Sequence, residues 1–563
     1  MSTPRTLHEA LADAARAGAG YYFPSDSAET FRPYADIRDE AFRVAHALAN
    51  AGLRRGDLVG LVLGDAEGFL TALFGASIAG IMPASLYPPA TITDLPRYVE
   101  LITTILRTSA ARAVITSRAL VPHFEAVRAT CPALELVLAR EDLVGPSVEP
   151  DIVPSLDDVA FVQFTSGSTS TPKGVMLTHR NLTANVDAIN GPAGLAPCDT
   201  DIGVSWLPLN HDMGLVGMAI APVYARRPAV LLSPHTFVKR PVEWLRTISR
   251  YRGTISFAPN FAYDLCVRRV KDRDLDGLDL SCWRAAGCGA EPIHPPTLDA
   301  FARKFAPVGF RATIFLPSYG LAEHVLAATF APRGRPLRVE RVANDNLSCG
   351  RVATPASPPA KGESGDDTAT VSLVSCGRPL PGHLVQIADE QDQPLPERHV
   401  GEILLAGPSV MLGYYNQGAL TAETIRAGWL HTGDLGYLSD GELYVCGRAK
   451  DVIIVNGRKY HPQDLEWAVG DLAGVRRGRV VAFGVIAHGH PDRVVIVIEP
   501  SGTVAPDTLT DSVRRRIGDV FGLSVEQVAI VPSGTVARTT SGKVQRSATK
   551  ARYERGEFAA ATL

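Results

Sequence analysis

Short apolar runs alternate with helical patterns over the first part of the chain. In NLTANVDAI (181–189), for example, Leu182, Val186 and Ile189 share one face of a helix. The apolar runs are LVGLVLG (58–64), ARAVITS (111–117), VAFVQF (159–164), GVSWLPL (203–209), AVLLSP (229–234) and TISFAP (254–259). This alternation predicts an α/β fold in which a parallel or mixed sheet is covered by helices.

The pattern changes near Lys450. VIIVNGRKY (452–460) predicts a hairpin around Asn456-Gly457, and a helix is predicted to begin near Pro462. A helix near 507–517 and the strand patterns VVAF (480–483), VVIVIEP (494–500) and QVAIVP (527–532) complete a small α+β unit. We therefore predict a large domain over residues 1–449 and a small domain over residues 450–563.

The length of the chain agrees with two domains. It has 563 residues, whereas a single hydrophobic core stops growing at roughly 250–300 residues. The formal net charge is −3 and there is no long run of like charge, which gives no support to nucleic-acid binding. The eight cysteines form no CxxC pair, so we expect reduced thiols in a cytoplasmic protein.

Two stretches could be mistaken for targeting or membrane segments. MSTPRTLHEALADAARAG (1–18) predicts an amphipathic helix rather than a signal peptide. FLTALFGASIAGIMPASL (69–86) is the most apolar window, but its glycines and Pro83 favour a buried helix that leads into a strand. We expect no membrane span.

One stretch within the large domain has no apolar periodicity. TPASPPAKGESGDDTAT (354–370) is rich in proline, glycine, serine and acidic residues, which is typical of an exposed or disordered loop. Strand patterns resume with VSLVSCG (371–377), HLVQIAD (383–389) and VGEILLAG (400–407). We interpret roughly residues 351–374 as an insertion.

FTSGSTSTPKGVMLTH (164–179) has the composition of a phosphate-binding loop. It follows a strand pattern and precedes a helical one, and such loops at the carboxyl edge of a sheet commonly bind phosphate. Gly167 allows close approach of the backbone, Lys173 supplies charge, and hydroxyl donors come from Thr165, Ser166, Ser168 and Thr169. Pro172 stands where the Walker pattern needs glycine. The alternative is a Ser/Thr/Gly-rich surface loop.

Four further motifs follow this loop along the chain. They are AAGCGAEPI (285–293), LPSYGLAEHV (316–325), GWLHTGDLGYLSDGELYVCGRAKD (428–451) and TTSGKVQR (539–546). Together with the loop, they resemble the adenylate-forming superfamily of acyl-CoA synthetases, peptide-synthetase adenylation domains and luciferases. The resemblance covers essentially the whole chain, with Ser170 in place of a usual glycine. It implies a large N-terminal domain of layered α/β subdomains, a small mobile α+β domain, and the joining of a carboxylate to the α-phosphate of ATP.

The resemblance also implies the nucleotide-binding residues. Tyr319 would stack on adenine, with Gly320 and Ala322 beside it, and Asp434 would accept the ribose hydroxyls. Arg448 would contact the ribose and phosphate. The segment along the adenine and ribose would be Gly289, Ala290, Glu291 and Pro292. The alternative for Tyr319 is a core tyrosine.

The catalytic residues implied by the resemblance are Lys543, Glu323 and Lys173. Lys543 would bridge the attacking carboxylate and the α-phosphate, since a positioned cation neutralises charge that grows on the transferring group. Glu323 would bind Mg²⁺, which takes few protein ligands beside a nucleotide. Lys450 would be the hinge. The alternatives are a solvated glutamate and a solvated lysine near the chain end.

The closest branch is the fatty acyl-AMP ligases, which resemble this chain in their acyl-pocket segments WLPLNHDMGLVG (206–217) and PNFAYDLCVRR (259–269). GRKYHPQDLE (457–466) and the insertion also match that branch. The resemblance implies a fatty or related carboxylic acid, ATP, Mg²⁺ and the phosphopantetheine of an acyl carrier protein. The pocket residues would be His211, Asp212, Asn260, Phe261 and Gly287. An acyl-CoA synthetase and a non-catalytic sensor module of the same fold remain alternatives.

Two departures from the branch concern the acyl pocket. Asn210 stands where an aromatic residue is usual, and Gly287-Cys288 stand where Phe-Asn is common. The loss of an aromatic ring predicts a reshaped or enlarged acyl tunnel. His211 and Asp212 could form an acid/base pair, but we favour a gating and pocket-lining role because an ionised carboxylate needs no proton removed. Neither G-x-S-x-G nor HExxH occurs.

Overall fold

The structure, a computed structural model, describes most of the chain. The described residues are 3–24, 29–89, 95–165, 172–343, 347, 351–355, 370–455, 458–485, 493–502, 504–538 and 544–558. The central part of the predicted insertion, residues 356–369, lies outside them. All seven cysteines in this part of the chain are free, as expected for reduced thiols.

The first sheet is mixed and has seven strands. From one edge to the other they are Gly413–Tyr414, Lys173–Thr178, Val159–Thr165, Met82–Ser85, Leu58–Val62, Ala113–Thr116 and Leu136–Ala139. Pairing is parallel from Val159–Thr165 to the last strand and antiparallel for the other two pairs. The helices in this part of the sequence are Leu7–Arg16, Tyr34–Asn50, Ala66–Ile78, Leu95–Thr108, Val121–Arg128 and His179–Asn190.

The most apolar window forms a buried helix, as predicted. Helix Ala66–Ile78 begins at Asp65, whose side chain accepts a hydrogen bond from the amide of Gly68, and strand Met82–Ser85 follows it. A Cβ at Gly75 would lie 2.6 Å from Cβ of Val44, so only glycine allows helix Tyr34–Asn50 to pack this closely. In the described residues, no helix is long and apolar enough to cross a membrane.

The second sheet has nine strands. Their order is Arg378–Pro379, Ala327–Phe330, Phe315–Gly320, Ala285–Cys288, Ile255–Ala258, Gly203–Ser205, Ala229–Leu231, Gly20–Pro24 and Glu29–Pro33. The strands from Phe315–Gly320 to Gly20–Pro24 pair in parallel. The associated helices are Ala221–Ala225, Pro234–Lys239, Val242–Tyr251, Asn260–Arg269 and Pro295–Phe305, together with the π-helix Met213–Ile220.

A third, antiparallel sheet follows the insertion. Its strands are Leu384–Ala388, Gly401–Ala406, Trp429–Ser439 and Ile425–Arg426, and Glu442–Arg448 pairs with Trp429–Ser439. Helix Gly418–Thr424 precedes strand Ile425–Arg426. Strands Val339–Ala343 and Thr370–Val374 flank the insertion and pair with each other.

The C-terminal region has its own sheet and apolar core. Strands Val475–Val485, Arg493–Pro500 and Val525–Ile530 form the sheet, which packs with helices Pro462–Gly470, Pro506–Phe521 and Arg546–Glu554. The core includes Leu465, Ile496, Val513 and Ile517. Ile453–Val455 and Arg458–Tyr460 form the predicted hairpin, although its turn residues lie outside the described part. The predicted α/β fold with a small α+β unit is confirmed.

Candidate active site

Three residues from two of the motifs meet at the end of the second sheet. The hydroxyl of Tyr319, near the end of strand Phe315–Gly320, donates to Oδ2 of Asp434 at 2.8 Å. Nε of Arg448 lies 3.0 Å from Oδ1 of the same carboxylate. Asp434 and Arg448 are paired across two antiparallel strands, so the sheet register itself creates this ion pair.

The carboxylate of Asp434 is buried, and its charge is paired with that of Arg448. The side chain is 12% exposed, and burial raises the pKa of Asp434, while the charge of Arg448 and the hydroxyl of Tyr319 oppose the rise. Asp434 in turn raises the pKa of the Arg448 guanidinium. A paired carboxylate on an antiparallel hairpin can accept hydrogen bonds from vicinal hydroxyl groups, which is the chemistry a ribose requires.

A second group of residues surrounds Tyr414. Its hydroxyl donates to Oε1 of Glu323 at 2.9 Å, and Nζ of Lys173 lies 5.2 Å from the centroid of its ring. Strand Gly413–Tyr414 pairs with strand Lys173–Thr178, which brings the tyrosine beside the lysine. Sequence reasoning missed Tyr414, whose only sequence signal is an aromatic pair in MLGYY.

The turn that carries Glu323 is strained. Val325 has φ of 64°, a conformation that is rare for a β-branched residue, directly after the short 3₁₀ helix Ala322–His324. The backbone oxygen of Glu323 accepts from the amide of Met411, and that of His324 accepts from the side chain of Asn185. At Gly320 a Cβ would lie 1.7 Å from the carbonyl oxygen of Leu326, so this turn requires glycine.

The predicted phosphate loop has a strand on each side, whereas the sequence predicted a strand before it and a helix after it. Thr165 and Lys173 are register partners in an antiparallel pair, so the segment between them joins two strands rather than a strand and a helix. Helix His179–Asn190 begins only after strand Lys173–Thr178, and Thr178 and Asn181 cap it reciprocally. Its N-terminus therefore does not border the loop. Ser166, Gly167, Ser168, Thr169 and Ser170 lie outside the described residues.

The segment predicted to lie along the nucleotide is held closely against neighbouring strands. A Cβ at Gly289 would lie 2.7 Å from the backbone oxygen of Ser318, and Ala290 has φ of 66°. Oε1 of Glu291 accepts from the amide of Phe261 at 2.6 Å. The structure describes Pro292 in the same turn but shows no hydrogen bond that gives it a role.

Of the two predicted acyl-pocket motifs, PNFAYDLCVRR (259–269) contacts this segment. Oδ1 of Asn260 accepts from the amide of His294 at 3.0 Å, and the ring of Phe261 lies edge-on to Trp206 at 6.0 Å. Oδ1 of Asp212 accepts from the amide of Met213 at 2.8 Å, and the backbone oxygen of His211 accepts from Leu215. Asp212 thus caps the π-helix, which is a structural role.

Beside Gly287, the space left by the missing side chain is filled rather than enlarged. A Cβ at Gly287 would lie 1.9 Å from the ring of Phe257, which is the register partner of Gly287 on the neighbouring strand. The ring of Phe257 therefore fills the space that the missing side chain of residue 287 leaves. Sequence reasoning could not assign this role because the two residues are 30 positions apart and meet only through the sheet register.

The C-terminal region contacts the large region close to these residues. The rings of His294 and Trp467 lie 4.6 Å apart, and Nη1 of Arg477 is 3.8 Å from Oδ1 of Asp264. Nε2 of Gln463 donates to the backbone oxygen of Cys446 at 2.6 Å. Helix Pro462–Gly470, which follows Lys450 in the chain, thus contacts His294 and Cys446, which precede it.

The segment that contains Lys543 lies outside the described residues, but its two ends are described. Arg538 and Val544 form an isolated antiparallel bridge. Burial and the charge of Arg479 lower the pKa of Arg538 to about 10, while the carboxylate of Glu291 raises it. Arg538 is therefore within electrostatic range of Glu291 in the predicted nucleotide segment.

Lys450 is a further cation in this part of the protein. It lies in the 3₁₀ helix Ala449–Asp451, directly after the ion pair of Arg448. Loss of hydration lowers the pKa of Lys450, and the positive charges of Arg448 and Lys173 lower it further. Three cations from two of the motifs, Lys173, Arg448 and Lys450, are therefore within electrostatic range of one another.

Comparison of the sequence with known proteins shows the family. The chain belongs to the AMP-binding enzymes, a family that matches residues 28–415. It is 35% identical, over 87% of this chain and 84% of the relative, to the medium-chain-fatty-acid–[acyl-carrier-protein] ligase JamA of Moorena producens (strain JHB). A putative acyl-CoA synthetase of Caulobacter vibrioides (strain NA1000 / CB15N) is 38% identical, over 98% of this chain and 96% of the relative.

Solved structures agree with this assignment. A structure from studies of fatty acyl-adenylate ligases of E. coli and L. pneumophila matches with a TM-score of 0.91 and 36% identity, covering 99% of both chains. The predicted adenylate-forming fold and the resemblance to fatty acyl-AMP ligases are therefore confirmed.

Proposed function

We propose that the protein activates a fatty carboxylic acid with ATP to give acyl-AMP and pyrophosphate, and then transfers the acyl group to a carrier-protein thiol. The observation that supports this best is the pair of adjoining groups Tyr319–Asp434–Arg448 and Glu323–Tyr414–Lys173. The first group suits a ribose and the second suits a polyphosphate. The similarity to an acyl-carrier-protein ligase supports the choice of acceptor.

In the first step the carboxylate oxygen attacks the α-phosphorus of ATP, and the bond to pyrophosphate breaks. The attack joins two anions, so the chain must supply positive charge where they meet. Lys173 and Arg448 face the phosphates from the large domain in this proposal. Lys543 bridges the carboxylate and the α-phosphate.

The residues present fit a magnesium ion. Glu323 is a hard oxygen ligand, and a carboxylate can accept the Tyr414 hydroxyl through one oxygen and bind Mg²⁺ through the other. When bound, Mg²⁺ would neutralise charge on the phosphates. Met411 and the strained turn at Val325 hold the backbone of Glu323 in place for this role.

The second step requires the small domain to move in this proposal. The boundary lies at Lys450, so residues 450–563 would rotate about it as one body. The separate core of Leu465, Ile496 and Val513 supports such a rigid unit. The carrier thiol then attacks the acyl carbonyl, and AMP leaves.

The test measures each step by mass spectrometry with purified protein, ATP, Mg²⁺ and fatty acids, once with CoA and once with a holo carrier protein. We expect acyl-AMP and acylated carrier. Lys543→Ala should abolish most pyrophosphate release, whereas Lys550→Ala, a lysine on helix Arg546–Glu554, should not. Near-normal pyrophosphate release by Lys543→Ala would contradict the assignment. Efficient acyl-CoA formation would move the protein to the acyl-CoA synthetases.

A further inference from the structure

Asn185 is a fully buried side chain on helix His179–Asn190 that contacts the turn of Glu323. Its Nδ2 donates to the backbone oxygens of Ala327 at 2.8 Å and His324 at 3.3 Å. Its Oδ1 accepts from the amide of Ala327 at 3.1 Å. One amide side chain therefore holds both ends of the turn that follows Glu323.

The same helix also holds the segment 408–411, which contacts this turn. Nδ2 of Asn181 donates to two backbone oxygens of the segment, at 2.8 and 2.9 Å. Nδ2 of Asn185 donates to Oγ of Ser409, in the middle of the segment, at 3.1 Å. The last amide of the segment donates to the backbone oxygen of Glu323 at 2.9 Å. The two asparagines therefore fix the turn and the segment relative to each other.

The turn needs such support because its backbone is strained. Val325, within the turn, has φ of 64°, and strain of this kind persists only where the surroundings hold it. The hydrogen bonds of Asn185 lie on both sides of Val325, so their loss would allow the turn to relax. The side chain of Glu323 is only partly buried, so its direction depends on the turn and on the hydroxyl of Tyr414.

We propose that Asn185 is a positioning residue that holds the carboxylate of Glu323 in the direction needed to bind the metal ion. This inference rests on the proposed function. Strand Lys173–Thr178 leads directly into the helix of Asn185. The same stretch of chain therefore sets the position of Lys173 and, through Asn185, that of Glu323. Replacement of a residue that orients a metal ligand typically weakens metal binding by about 10- to 100-fold.

The test measures how tightly the full chain binds Mn²⁺, a paramagnetic substitute for Mg²⁺, in the presence of a non-hydrolysable ATP analogue, by electron paramagnetic resonance. We expect the Kd of Mn²⁺ to rise by about tenfold in Asn185→Ala, and by less in the milder Asn185→Ser, which keeps a hydroxyl group. Alanine suits a helix interior, so the helix itself is preserved. Asn190→Ala is the matched control and should keep the wild-type Kd. Asn190 lies on the same helix but donates to the backbone oxygen of Ala221 rather than to the turn of Glu323.

Glu323→Gln separates this positioning role from a merely structural one. If Asn185 acts through Glu323, Asn185→Ala should change the Kd of Mn²⁺ much less in the Glu323→Gln protein than in the wild type. An unchanged Kd in both Asn185 variants, or the same fold-change with and without Glu323→Gln, would overturn the inference alone.

Acyl-AMP formation by mass spectrometry tests the proposed function separately. Weakened Mn²⁺ binding in Asn185→Ala, together with wild-type protein that forms no acyl-AMP, would overturn the proposed function and leave the inference standing. A Kd of Mn²⁺ that Glu323→Gln does not change would overturn both the inference and the metal role of Glu323.

Discussion

The hydroxyl of Tyr319 lies 2.8 Å from Oδ2 of Asp434, although 115 positions separate the two residues in the chain. Tyr319 belongs to the second sheet and Asp434 to the third, so this hydrogen bond joins two sheets at the candidate active site. Arg448 approaches the other carboxylate oxygen. A single buried carboxylate thereby fixes an aromatic ring and a cation relative to each other.

Replacement of Asp434 by asparagine should weaken nucleotide use. It removes the charge that pairs with Arg448 and replaces one of the two acceptor oxygens by an NH2 donor, and a hydrogen bond to a charged group contributes about 1.5–3 kcal/mol. We expect kcat/KM for ATP to fall by about 10- to 150-fold. Asp440→Asn, on an exposed turn beside Arg338, is the control. Equal ATP kinetics in both variants would contradict a nucleotide role for Asp434.

Tyr414→Phe should change the dependence on magnesium. The variant keeps the ring beside Lys173 but removes the hydroxyl that orients Oε1 of Glu323. One lost hydrogen bond costs about 1 kcal/mol, so the magnesium concentration for half-maximal acyl-AMP formation should rise by about fivefold. Tyr415→Phe tests the neighbouring tyrosine and should leave this value unchanged. A lower kcat with an unaltered magnesium dependence would argue against a metal-positioning role.

Trp467→Ala should slow the first step more than the second. The indole ring packs on His294 and helps to hold the C-terminal region in the orientation seen here. A ring contact contributes about 0.5–1.5 kcal/mol, so pyrophosphate release should slow by about two- to tenfold. Transfer from preformed acyl-AMP to the carrier is the internal comparison. Equal slowing of both steps would indicate general destabilisation instead. Trp429→Ala, which removes an indole from the third sheet, is the control variant.

The stability of the protein should fall in mild acid. Burial lowers the pKa values of His179 and His461 to about 4, below the usual value of 6.5. The unfolded chain therefore binds protons from about pH 6.5 downwards while the folded chain does not. Each histidine lowers the free energy of unfolding by at most about 1.4 kcal/mol per pH unit between pH 6.5 and 4.

Urea unfolding at pH 7.5 and pH 5 measures this dependence. His461→Leu removes one buried imidazole, so its free energy of unfolding should depend less on pH than that of the wild type. His123→Gln changes an exposed histidine and should keep the wild-type dependence. If the free energy of unfolding changed by the same amount between the two pH values in all three proteins, buried His461 would not contribute to the pH dependence.

Local patterns predicted the elements well. Thr6 and Glu9 cap the N-terminal helix Leu7–Arg16, and the C-terminal strands and helices lie where periodicity and Pro462 indicate. These features depend on neighbours within a few residues. The strand Lys173–Thr178 was not anticipated: it pairs with the preceding strand Val159–Thr165 on one side, and its other partner, Gly413–Tyr414, comes from a distant part of the chain.

The sequence by itself determined the order of motifs, and hence the membership of the chain in the AMP-binding enzymes. It also indicated which polar residues, such as Asp434 and Glu323, could serve a nucleotide and a metal. Only the tertiary structure decided that Tyr414 joins Glu323 to Lys173 and that Phe257 replaces the missing side chain at Gly287. The physical reason is register: cross-strand neighbours are set by sheet pairing and packing, which no local pattern encodes.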